Sequence, residues 1–156
     1  MYKANTVLHS TSIHRTHIQK AALCWACQFV RCKAADFIID RGADVAYPGP
    51  VDRPVSSHNT GYMPLHHAAQ EGRRQMVQLL RERGAPFNFR SSEHHETALL
   101  GAVDQSWPPE EMFSVVGFLF EAGADCTLPA DYGKIALHAA AEHGFGNALN
   151  TILRGF

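Results

Sequence analysis

Gly61-Tyr62-Met63-Pro64-Leu65-His66-His67-Ala68-Ala69-Gln70-Glu71-Gly72 carries the architecture of the chain. Leu65 is followed three and four places on by Ala68 and Ala69, the spacing of one thin helical stripe. Small residues in that stripe let a neighbouring helix approach closely. Gly72 suits the positive φ of a helix C-cap. Val77, Leu79 and Leu80 then mark a second helix, which Gly84-Ala85 closes. The segment reads as helix, turn, helix, hairpin.

Working outward, the pattern recurs. Ala98-Leu99-Leu100-Gly101-Ala102-Val103 and Ala136-Leu137-His138-Ala139-Ala140-Ala141 lie in the same register, and Ala22-Leu23-Cys24-Trp25-Ala26-Cys27 is a fainter copy. The leading leucines Leu23, Leu65, Leu99 and Leu137 are 42, 34 and 38 residues apart. Gly42-Ala43, Gly84-Ala85 and Gly123-Ala124 give a second landmark, and Gly144 repeats the role of Gly72. Second-helix residues Ala35, Phe37 and Ile38 correspond to Val77, Leu79 and Leu80, to Val116, Phe118 and Leu119, and to Leu149 and Ile152. Five extra residues fall in the third unit within 105–111, where Pro108 and Pro109 predict a loop. About nine extra residues fall in the 46–57 stretch, whose prolines predict a stiff protruding finger. One such unit cannot bury both its helices, whereas stacked copies share a continuous core.

On these residues the sequence resembles the ankyrin repeat family. The family pattern is near Gly-x-Thr-Pro-Leu-His-x-Ala-Ala-x-x-Gly, later a leucine pair, then Gly-Ala-Asp. The resemblance implies an all-α helix-turn-helix solenoid with β-hairpin fingers. Four imperfect repeats are expected, at about 20–52, 61–93, 96–130 and 133–156, within a domain spanning 18–156. Residues 1–17 are polar and read as a lead-in or partial cap. The departures are informative. Threonine of the box survives only as Thr97, where the histidine has become Leu100. His66 and His138 survive where the threonine is Met63 or Ile135. In the family that pair ties helix to finger, so each box is expected to be locally weakened. Asn88 falls at the finger asparagine that is sometimes hydroxylated in the family. Pro86 replaces the usual aspartate two places before it, so the modification is not expected here.

Composition narrows the function. Hydrophobic residues make up 46% and charged residues 19%, which excludes a disordered charged tail. Lys plus Arg number 14 against 15 Asp plus Glu, so the chain lacks the basic field that phosphate contacts need, and no nucleic-acid partner is expected. Ten histidines stand out, and protonating all of them would carry the formal charge from -1 to +9. Cys24, Cys27 and Cys32 cluster without a second metal-ligand pair, so they read as packing residues. Reduced thiols fit an intracellular protein, in cytoplasm or nucleus. No stretch reads as a targeting segment, and none approaches the ~18 apolar residues of a membrane span.

The family resemblance implies a protein-binding scaffold or adaptor that grips its partner with finger tips and the inner face of the first helices. Carried over position by position, that concave face contains Trp25 in unit one and Tyr62, His67, Gln70 and Glu71 in unit two. Unit three contributes Asp104 and Gln105, and unit four Tyr132, Lys134, Glu142 and His143. Tyr62, Gln70, Asp104, Tyr132 and Lys134 are expected at its centre. Trp25 and Phe29 are either interface anchors or buried under the N-terminal segment. A rival reading gathers His67, His94, His95, His138 and His143 with Asp104 and Glu142 into a small-molecule or acid–base pocket. Their spacing carries no phosphate loop, His-Glu-x-x-His or Gly-x-Ser-x-Gly. No catalytic residue, metal or cofactor is therefore assigned. Phe145, Leu149, Ile152 and Phe156 leave the last unit apolar, so either weak self-association or further repeats are expected at the C-terminal edge.

Overall fold

The computed structural model describes residues 18–47 and 61–154, apart from 20, 28, 30, 93 and 105–108. The expected lead-in 1–17, most of the proline-rich insertion, Gln105 and Phe156 lie outside the described residues. Helices run over 21–27 (α1), Cys32–Asp40 (α2), Pro64–Gln70 (α3), Arg74–Glu82 (α4), Ala98–Asp104 (α5), Pro109–Glu121 (α6), Ala136–Glu142 (α7) and Gly146–Leu153 (α8), with a 3-10 turn at Asp131–Gly133. They pair as sequential helix-turn-helix units. In one layer α3 packs on α5 and α5 on α7; in the other α2, α4, α6 and α8 follow one another.

The core lies between the layers. Leu23, Leu65 and Leu99 are buried as their register demands, and Ala68, Ala69, Ala102, Ala139 and Ala140 are the small residues of the close helix contacts. Leu137 is only partly buried, because α7 is the last first-layer helix of the described stack. Phe37 is exposed, not part of the second-helix core; the Arg41 guanidinium lies 4.4 Å over its ring. Cys27 and Cys126 are buried, Cys24 and Cys32 half-buried, and none of the four is in a disulfide. Burial, with Cys24 and Cys32 nearby, raises the pKa of the Cys27 thiol.

Gly72 shows how the turns are made. At φ 65 its N–H donates to the Ala69 carbonyl at 3.1 Å, and the Arg73 N–H donates to Ala68 at 2.9 Å. This Schellman pair satisfies carbonyls left open at the helix end. The same pair of bonds recurs at Gly42, Gly84, Gly123 and Gly144.

Three expectations are corrected. Among the described residues there is no strand, so the fingers are turns rather than β-hairpins. Each closes with too few backbone bonds for a ladder: Ser91 N–H to Glu96 C=O at 2.8 Å in one, Ala130 N–H to Lys134 C=O at 2.7 Å in the next. In the first, the return bond from the Glu96 N–H goes to the Ser91 hydroxyl. Asn88 instead links successive fingers, accepting from the Asp125 N–H at 2.8 Å and donating to the Gly123 carbonyl at 3.4 Å. Second, the extra residues of the third unit are not all loop, since α6 already begins at Pro109. Proline is tolerated at a first helical turn, and Glu110 and Glu111 complement the dipole there.

Third, splitting the Thr/His pair leaves each half in use. His66 Nδ1 accepts from the Met63 N–H at 3.2 Å, so Nε2 carries the proton and donates to the Glu96 carbonyl at 3.1 Å. Thr97 Oγ1 accepts from the Leu100 N–H at 3.2 Å, an ordinary N-cap for α5. His138 Nδ1 accepts from the Ile135 N–H at 3.2 Å.

Candidate functional site

The repeat register places equivalent residues in columns. Gln70, Asp104 and Glu142 each end a first-layer helix. Tyr62, Glu96 and Lys134 each stand two residues before such a helix begins. Stacking brings the two columns together, across repeats between residues 30 or more positions apart and within a repeat between residues eight apart.

The Tyr62 hydroxyl donates to the Glu96 carboxylate, and the Gln70 amide hydrogen-bonds the same hydroxyl. Tyr62 stacks on His66 at 5.2 Å and is 3% exposed. Its phenol pKa is raised, first by burial and then by the Glu96 hydrogen bond. Tyr62 therefore supports the face from beneath and is not a contact residue. This corrects its expected central place. One repeat further, Lys134 Nζ lies 2.6 Å from Asp104 Oδ1 and 3.1 Å from Glu142 Oε2. The Asp104 hydrogen bond, reinforced by Glu142, holds the ammonium pKa above its ordinary value against a smaller burial effect. His143 Nε2 lies 3.5 Å from the same Asp104 oxygen, and its ring stacks on Phe145 at 5.3 Å.

The remaining expected residues take varied positions. His67 is half-buried, its ring 5.8 Å from that of Tyr62. Glu71 lies 3.9 Å from Arg73 at the α3–α4 turn. Trp25 is exposed and stacks on the exposed Phe29 at 5.4 Å. Tyr132 is fully exposed, at φ 60 in the 3-10 turn. Gln105 lies outside the described residues.

The histidines do not gather into one pocket. His66 and His138 hold the N-termini of their own helices, while His94 and His95 face Asp131 at 4.0 and 2.8 Å on the fingers. His143 joins Asp104 directly. Among the described residues no three His, Cys, Asp or Glu side chains are disposed to hold a metal ion. A cleft of about 390 Å³ lies elsewhere, between the α3–α4 turn and the start of α6, with Arg73, Arg74, Glu110, Glu111 and Ser114 on its walls.

The register also marks Glu96 and His95. Glu96 shares the column of Tyr62 and Lys134. His95 stands three residues before α5, where Gly61 and Gly133 stand before α3 and α7.

This chain matches the family model of ankyrin repeats, in three copies, over residues 23–130. The chain belongs to the ankyrin repeat family. The match spans the first three helix pairs; the fourth, α7 and α8, continues the same packing beyond it. A relative, ankyrin repeat and SOCS box protein 6 of Pongo abelii, is 32% identical over 111 residues. That alignment covers 70% of this chain and 24% of the relative, so the chain spans about a quarter of that protein. Ankyrin repeats generally mediate protein–protein interaction. No helix among the described residues is long and apolar enough to cross a membrane.

Proposed function

We propose that this chain is an intracellular recognition scaffold that binds a protein partner through the inner face of its first-layer helices and the adjoining finger tips, without chemistry of its own. The observation that carries this reading is the polar pairing across repeats, Tyr62 with Glu96 between the second and third and Lys134 and His143 with Asp104 between the third and fourth. It joins successive repeats into one preformed surface. A rigid surface loses little freedom on binding, so more of the contact energy appears as affinity. Tyr132 supplies an exposed aromatic at its edge, and Glu71 belongs to the same face by register. The near-neutral charge favours a protein over a nucleic acid. We assign the repeat domain to residues 18–156.

Affinity capture from lysate of the source cell tests the reading. The chain is compared with a variant carrying Asp104→Ala, Tyr132→Ala and Glu142→Ala, residues at least one-third exposed. A partner held by the parent chain and lost by the folded variant supports the inner face. A partner held equally by both overturns it.

A further inference from the structure

We draw no further inference here: the strongest candidate, the exposed surface patch on α1 where Trp25 stacks on Phe29, is an apolar face for which nothing in the structure shows what covers it.

Discussion

His95 Nδ1 stands 2.8 Å from Asp131 Oδ1, so the finger before the third repeat is fastened to the finger before the fourth by a side chain that occupies a glycine slot. The corresponding Gly61 and Gly133 both have φ 75, and His95 has φ 53. A side chain in this left-handed region costs about 1–2 kcal/mol. The Asp131 carboxylate accepts from His95, and the Asp131 N–H donates to the His94 carbonyl at 3.1 Å. An exposed pair of this kind returns ~0–1 kcal/mol. His95→Gly is therefore expected to raise stability by about 1 kcal/mol, moving the thermal midpoint up ~2–4 °C. A lower midpoint would mean that the contact between fingers outweighs the backbone strain.

His66 is the buried polar hinge between the second and third repeats. Replacing it with leucine strands the Met63 N–H and the Glu96 carbonyl, at about 1–3 kcal/mol each. A loss of about 2–4 kcal/mol is expected in denaturant unfolding. A loss below ~1 kcal/mol would show that neighbouring groups take over both bonds.

The same residue gives a pH signature. Burial lowers the His66 pKa from 6.5 to about 4, against hydrogen bonds that favour the charged form. The fold thus prefers the neutral ring. Above the unfolded value no proton is involved and the stability is fully present. As pH falls from 6.5 towards about 4 the unfolded chain takes up the proton first, and roughly 3 kcal/mol is lost across that window. The difference in unfolding free energy between the parent chain and His66→Leu is expected to shrink over this range. A constant difference would refute the assignment.

Glycine turns are not equivalent. A Cβ on Gly84, at φ 81, would meet open space, so Gly84→Ala is expected to cost only the backbone term of about 1–2 kcal/mol. A Cβ on Gly61 would fall 1.7 Å from Ser92 Oγ and 2.9 Å from the Ser92 nitrogen. Overpacking adds ~1–3 kcal/mol there. Thermal unfolding of the two alanine variants is expected to rank Gly61→Ala clearly below Gly84→Ala, and equal midpoints would argue against this packing.

Lys134→Met leaves Asp104 and Glu142 facing each other without the ammonium. All three side chains are a third or more exposed, so the stability cost is expected to stay under ~1 kcal/mol. It should shrink further as salt screens the two carboxylates. Chemical unfolding at low and high salt measures both. A cost that is large and insensitive to salt would mean that Lys134 acts through packing of its stem.

The repeat frame was legible because each unit states it locally. Leucine followed by paired alanines at helical spacing, and glycine where the chain must turn left-handed, depend on neighbours within one helix or turn. The columns follow from the same register, which is why Asp104, Lys134, Glu142 and His143 lie together, while Gln70 meets Tyr62. The fate of each column member was not legible. Tyr62 and Tyr132 are both tyrosines near a finger exit, yet one is 3% exposed and the other lies wholly in solvent. The difference is made by Glu96, 34 residues on from Tyr62, together with Gln70 and His66. Among the described residues the fingers lack strands because too few backbone bonds close each one, and side chains make others, Ser91 within a finger and Asn88 between two. The strain at His95 becomes meaningful only with Asp131, 36 residues away. By itself the sequence determined the helices, their turns and the period at which they stack, all set by contacts a few residues apart. Only the tertiary structure decided which polar groups are buried, which are paired and which stay exposed, because those outcomes depend on the offset between stacked repeats, and no single repeat encodes it.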